Sequence, residues 1–581
     1  MADALIYNLS TKNDYLESVA TRKEVVYVQD QNGGSYNGTI NIETSSISNS
    51  GKFQDLSSAV LVIPYCIQIN ATAAGVAQAM NAELSRMSAG LKSGYWQIIH
   101  SFSCDWNGVN ICQLTPYINM YCSFKAMTSW SVNDQFKNGL AVGFWKDSVD
   151  SMYYSETAPT AANGPGGFGV GNNLVQEVGN AQYTNQTFSA AVVNWNTQTT
   201  TMGYNEGLRK RLSNIYLGSI GAVAAAAGRF GQGFGQFMTT ANALLAGLNV
   251  SDRTADTGYY YWKYNAVIRL KDLSDFFEKV PLCKGGVLRL TINYNSAQQV
   301  FSGAGASVLN ITSTVLTAGQ TVPHILTSSA LNNPNAALGT TATVINVVSN
   351  LTPNLASNVG QGSINTARLY VPLYSLHPSY EEQLLSLNPV KTIQYKDIYQ
   401  YTISNVVSSS SQNFNVLITN GLVRPMSVII CPFISTNISG VSNITSPFST
   451  SPATVDPYIG IRNFNVQVSG VNLFQQNIDY SFLEFQQELS RMAAVNGNVT
   501  TGLTSGLIDL HDYDRGYGYV VADCSRSYSF DDIVPKSILL SGSISLGSLG
   551  AGPTAQNVTL YCFVEYMRTV NINLASGNIS L

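Results

Sequence analysis

A series of short marks runs through this chain twice in the same order, and that order constrains the fold more than any single segment does. Val60–Tyr65 reads VLVIPY and Val428–Phe433 reads VIICPF. Tyr259–Asn295 starts as a Tyr-rich strand, passes an acidic turn at Asp272 and Asp275, reaches Val280-Pro281 and enters a new strand. Tyr517–Leu546 does the same through Asp531-Asp532 and Val534-Pro535. Each copy then crosses an uncharged stretch and returns as a strand holding Leu-Tyr, at Leu369-Tyr370 and Leu560-Tyr561. This is a divergent two-fold repeat of an all-β unit, not a short-period solenoid. Pro64 and Pro281 are 217 positions apart, Pro432 and Pro535 only 103, a surplus of 114 in the first copy. The Gly/Ala-rich stretch 146–258 has about that length, so an insertion lies between two strands of the first copy. Without it, two units remain with about eight strand candidates each, the number in a jelly roll.

Within the repeat, Tyr259–Asn295 is the best-specified local structure. Leu273, Phe276, Phe277 and Val280 fall at i, i+3, i+4 and i+7, one face of a helix. Asp272 stands where an N-cap belongs, and Pro281 ends the helix. After Gly285-Gly286, Leu288, Leu290, Ile292 and Tyr294 alternate with Arg289, Thr291, Asn293 and Asn295, which predicts a strand buried on one face.

The remaining chain has the texture of strands and turns. Charged residues make up 11% of the 581 positions, against about 25% in an ordinary domain. Polarity comes instead from Asn, Ser, Thr, Gln, Gly and Tyr, a mix poor in residues that favour long surface helices. A formal net charge of -4 provides no basic field for sequence-independent binding of nucleic acid. Eight cysteines without a C-x-x-C spacing read as buried free thiols of a reducing compartment. The N-terminus lacks the basic and apolar regions of a secretory signal, and no apolar run reaches the roughly 18–20 residues of a membrane span.

In order, residues 1–23 read as an arm, and Glu24–Gln29 as a first strand. Ala59–Ile69 reads as a strand buried on both faces, with a bulge or bend at Pro64. A helix is expected around Leu208–Ala227 inside the insertion. Segment 296–366 contains no Asp, Glu, Lys or Arg and is expected to pack as a long excursion with some strand content. His377-Pro378 opens a short helix that marks the unit boundary, Lys391–Ile403 is a strand, and Tyr480–Ala494 is a helix.

Chemistry-bearing residues are sparse. Gly231, Gly233 and Gly235 follow no strand and precede no lysine motif, so a phosphate cradle is not assigned. Of four histidines, His100, His324 and His377 stand apart from acidic partners. His511 lies in DLHDYD, where Asp509, His511, Asp512 and Asp514 could offer oxygen and nitrogen to a metal; a solvated turn is the preferred reading. No acidic pair suits glycoside hydrolysis. No catalytic, cofactor-binding or metal-ligating residue is therefore assigned, and the chain is not expected to be an enzyme. A glycan-binding or glycan-cleaving β-sandwich and a host-attachment spike or fibre are the alternatives to a structural role.

The segment from Ile268 to Ile292, the transition LYVPLYSLHPSYEEQLLSLNPVKTIQYKDI from Leu369 to Ile398, the duplicated layout and the length together carry a resemblance. The chain resembles the double jelly-roll major capsid proteins of double-stranded DNA viruses, most closely those of virophages and polinton-like viruses. The resemblance implies an all-β fold of two tandem eight-stranded antiparallel jelly rolls. The first would span 24–377, with the insertion at about 146–258 and the uncharged loop at 296–366, and the second 378–581. It further implies a homotrimeric, pseudo-hexagonal capsomer in an icosahedral shell around a dsDNA genome. Partners would be neighbouring capsomers, penton proteins and minor capsid proteins, with packaged DNA only an indirect one, since the basic patch of Lys12, Arg22 and Lys23 in the arm is too small to contribute much. The location implied is the virion, after synthesis in the host cytoplasm or a virus factory.

Overall fold

The structure, a computed structural model, describes residues 19–71, 87–147, 187–189, 206–211, 213–214, 229–230, 233–239, 258–303, 308–328, 343–351, 366–387, 389–408, 413–435, 442–447, 450–456, 459–492, 504–529, 532–546 and 557–580. Sixteen strands build two sandwiches. The first holds β1 (Ala20–Gln29), β2 (Thr39–Glu43), β3 (Val60–Ala71), β4 (Ile99–Trp106), β5 (Val109–Pro116), β6 (Gly258–Arg269), β7 (Leu288–Tyr294) and β8 (Arg368–Leu376). The second holds β9 (Val390–Val407), β10 (Asn413–Leu422), β11 (Pro425–Ile434), β12 (Ile459–Val468), β13 (Val471–Asn472), β14 (Val520–Asp523), β15 (Lys536–Leu546) and β16 (Asn557–Asn573).

The strand orders are β1-β8-β3-β6 over β2-β7-β4-β5, and β9-β16-β11-β14 over β10-β15-β12-β13. Adding eight to each first-unit label gives its second-unit counterpart. All pairings in these four sheets are antiparallel, so this is the jelly-roll order made twice. The repeated marks fall on equivalent strands. VLVIPY lies in β3 and VIICPF in β11, the Tyr-rich segments lead into β6 and β14, and the Leu-Tyr pairs sit in β8 and β16.

The surplus in the first copy lies between β5 and β6, residues 117–257, against 473–519 between β13 and β14. Some of its described parts are helices, Ile118–Ser129, Val132–Asn138 and Glu206–Arg211, and others extend existing sheets. Gly233–Thr239 pairs with β6, and Thr187–Ser189 pairs with Val308–Asn310. Gly233 and Gly235 thus lie in a strand, and Gly231 lies outside the described residues. Instead of the helix expected over Leu208–Ala227, a helix spans Glu206–Arg211 and Ser213–Asn214 are strand; 215–227 lie outside the described residues. The charge-free excursion contributes strands Ser296–Gly303, Val308–Ala318 and Thr343–Asn350, which carry the β3 sheet sideways.

Two local expectations are corrected. Pro64 causes no bulge, since β3 and β6 keep register straight through Asn265 and Pro64. On its other side β3 pairs with β8 up to Val62 and with Thr343–Asn350 from Cys66. Pro64 falls in the gap between those neighbours, where its missing N–H costs no ladder bond. Asp272 is not an N-cap either. It binds Arg269 through two bonds of 2.8 Å inside a first helical turn, Leu270–Leu273. Ser274 then caps a separate helix, Asp275–Lys279, accepting from the Phe276 N–H. The apolar face itself is as expected, with Leu273, Phe276, Phe277 and Val280 all buried, and β7 alternates as read.

Candidate interaction surfaces and the junction between sandwiches

The chemistry of the described residues is concentrated where the two sandwiches meet. Helix α1 (Ile118–Ser129) follows β5 and lies on the outer face of the β9-β16-β11-β14 sheet. Tyr117, just before α1, packs on Tyr561 at 4.5 Å between ring centroids, and Tyr121 on Phe563 at 5.9 Å. Phe124 meets Tyr519 edge-on at 5.2 Å. The strand edge of β9 is held as well. Asp275 accepts from the Lys396 N–H at 2.9 Å, Thr115 donates to the Ile398 carbonyl, and Phe276 abuts Tyr395.

Inside this apolar seam sits a charged network. Glu565 of β16 accepts from Tyr121 Oη at 2.7 Å and Ser427 Oγ at 2.8 Å, and pairs with Lys396 Nζ at 3.0 Å. Burial pushes the Glu565 carboxyl up, but the Lys396 ammonium and the two hydroxyls more than offset this and hold it below its usual range. Lys396 is correspondingly raised, chiefly by Glu565. Both partners are therefore ionised in the folded chain. Beside them Asp397 takes bonds from Arg568 and Tyr566, while Arg568 also donates to the carbonyls of Asn110 and Ile111 in β5. A second buried pair, Arg211 with Asp147, lies against Tyr517, whose hydroxyl donates to the Asp147 carbonyl and accepts from its N–H. Lys92 is fully buried, its ammonium donating to the backbone carbonyls of Ser446 and Ser451.

This geometry fastens the two sandwiches to each other. Among the described residues no group of three His, Cys, Asp or Glu side chains is placed to hold a metal, and no helix is long and apolar enough to cross a membrane. DLHDYD is not a turn but the start of a helix, Leu510–Gly516. Asp509 is its N-cap and Asp512 completes the capping box while pairing with Lys146 of the first unit. Two of the four candidate ligands are thus occupied in capping and in joining the units. His511 and Asp514 lie on the same helix. His377 bonds Ser379 at the start of helix Pro378–Leu387.

His100 and His324 are structural and acid-sensitive. His324 is completely buried between Ser349 Oγ at 2.9 Å and Gln299 Oε1 at 2.8 Å. Burial, aided by the nearby Lys92, pushes it down to about 3. His100 packs edge-on against Tyr117 at 4.9 Å and burial brings it to about 4. Both are neutral when folded and take a proton only on unfolding. Their contribution to stability is present above pH about 6.5 and is lost as the pH falls toward the folded values, at about 1.4 kcal/mol per pH unit for each histidine. Denaturation midpoints are expected to drop between pH 6.5 and 4, and His324→Gln to flatten that slope. An unchanged slope in the variant would remove His324 from this role.

Sequence reading missed Tyr121, Lys396, Asp397, Glu565 and Arg568. A signal existed: Glu565 interrupts the apolar run LYCFVEY, and Lys396-Asp397 interrupts an alternating strand in a chain sparing of charge.

No family model and no curated protein matches the chain. Among the solved structures similar to it along nearly its full length, three have a TM-score of 0.41 each. They are the mavirus major capsid protein (9% identity, 99% of this chain and 93% of that one), the Sputnik virophage solved by cryo-EM (12%, 97% and 89%), and the Faustovirus major capsid protein (9%, 98% and 94%).

Proposed function

We propose that this chain is a major capsid protein, a structural unit that assembles as a homotrimer of six sandwiches and tiles an icosahedral shell around a dsDNA genome. The carrying observation is the junction. Two sandwiches of identical strand order stand side by side, one edge of the first buried against a different edge and face of the second. Such a chain presents different surfaces on its two units, which suits repeating the same contact between copies. The helix Pro378–Leu387 stands between the first unit and the second in this reading. Neighbouring capsomers, penton proteins and minor capsid proteins would be its partners, the virion its location, and DNA an indirect contact.

The test is mass and shape in solution. The purified chain is expected at about three times 62.6 kDa, with hexagonal capsomers or shells by electron microscopy. A stable monomer that cleaves glycans would overturn the proposal.

A further inference from the structure

Of the eight cysteines, all free and buried, two stand directly opposite each other on neighbouring strands. Cys104 of β4 is paired in register with Cys112 of β5, and both are almost wholly buried. Directly opposite residues of an antiparallel pair share a face and hold their Cα atoms about 4.5–5.5 Å apart. A disulfide spans Cα separations of about 4.4–6.8 Å, so the backbone here already stands at bridging distance. The ladder slips register on both sides of this pair, leaving Ile111 and Cys112 consecutive and both buried. Such bulges re-aim side chains, and here they turn Cys112 onto the face that carries Cys104. Burial, and then the hydrogen-bonded Cys112 thiol, push the Cys104 thiol well above its usual range.

Register sets the other close pair apart. Cys562 of β16 lies opposite Ile430, and Cys431 of β11 lies opposite Tyr561, so these two side chains leave the sheet on opposite faces. Cys66 lies opposite Lys263 and Asn350.

The surroundings of Cys104 and Cys112 would give a bridge its consequence. β5 is the edge of its sheet and pairs only with β4 among the described residues. Its carbonyls at Asn110 and Ile111 accept from Arg568, Ile111 also accepts from Tyr395 Oη at 2.7 Å, and Thr115 donates to Ile398. A strand weakened by two register slips thus carries part of the junction with the second sandwich. Cys112 also donates to Ser274 Oγ at 3.1 Å, at the N-cap of the helix that meets β9.

We propose that Cys104 and Cys112 form a reversible disulfide site, two thiols in a reducing compartment and a bridge fastening β5 to β4 once the chain meets a disulfide oxidant. The step balances as a thiol–disulfide exchange. The Cys112 thiolate attacks one sulfur of oxidised glutathione and expels a glutathione thiolate. The Cys104 thiolate then attacks the Cys112 sulfur and expels the second. Two protein thiols are oxidised, one glutathione disulfide is reduced, and the two protons end on the two glutathiones. Because Cys104 is held protonated, closure in the folded chain is slow, on the order of hours.

The test needs no assembly, so its failure leaves the capsid reading standing. The full-length chain is incubated with oxidised glutathione and denatured, and its free thiols are titrated. The count is expected to fall from eight to six, dithiothreitol to restore eight, and digestion to yield a peptide linked through Cys104 and Cys112. The thermal transition of the oxidised chain is expected to rise by about 2–4 °C, since the bridge restricts the unfolded chain. Cys104→Ser and Cys112→Ser, each checked for a cooperative transition, are expected to keep all seven thiols and to show no rise. Cys431→Ser is expected to lose two thiols as the wild type does. A wild-type count that stays at eight, a glutathione adduct in place of the bridge, a linked peptide joining another pair, or an equal loss in Cys104→Ser overturns the proposal. So does a bridge that leaves the transition unchanged or lowers it.

Discussion

Glu565→Ala is expected to lower the unfolding free energy by about 3–5 kcal/mol, read as a lower denaturant midpoint. The cost is not the worth of one ion pair. Removing the carboxylate leaves the Lys396 ammonium in the seam and strands the Tyr121 and Ser427 hydroxyls, which both point at it. The two hydroxyls are buried and lose their acceptor outright, whereas the Lys396 ammonium is partly exposed and keeps Asp275 and Asp523 nearby, so the loss falls at the lower end of that range. Glu565→Gln keeps the shape and an acceptor oxygen but not the charge, so its loss should be smaller. The carboxyl is held below its usual range, so its contribution is present near neutrality and is lost as the pH falls through the folded value. Equal losses for Ala and Gln would mean that the charge carries the whole effect, and a Gln variant as stable as the wild type would mean that the charge itself matters little.

Trp106→Ala is expected to cost about 3–5 kcal/mol by the same measurement. Trp106 is fully buried at the end of β4, edge-on to Phe276 at 6.0 Å. Its indole N–H donates to the Gly577 carbonyl of the second unit at 2.5 Å. A Cβ on Gly286 would stand 1.9 Å from the ring, so only glycine lets the backbone pass this close. Truncation leaves a cavity lined by both units and takes one of two donors from the Gly577 carbonyl, which keeps its bond from the Asn107 amide at 2.9 Å. Trp106→Phe fills much of that space but makes no bond to Gly577, so a loss of about 1–2 kcal/mol is expected. If both substitutions cost under about 1 kcal/mol, this corner is not a structural tie between the units.

Much of the fold was legible because its signals are local. The alternation in β7 and the apolar face Leu273–Val280 depend on side-chain periods within a few residues, and both appear as read. Caps were less legible, because Ser274 and Asp272 are both competent N-caps and the choice depends on Arg269 reaching Asp272. Pro64 looked like a bend because its open side depends on where two distant strands end. DLHDYD looked like a solvated turn because the partner of Asp512, Lys146, is remote in sequence.

The sequence by itself determined the all-β character, the duplication and the one-sided burial of individual strands. These follow from composition, period and the order of marks along the chain. Only the tertiary structure decided that one sandwich docks its helix and strand edge onto a different face of the other. That docking explains why Lys396 and Glu565 sit in otherwise apolar strands: each is stabilised by a partner on another strand or in the other unit. Pairing across sheets is specified by surfaces assembled from distant segments, and no local pattern in the chain encodes it.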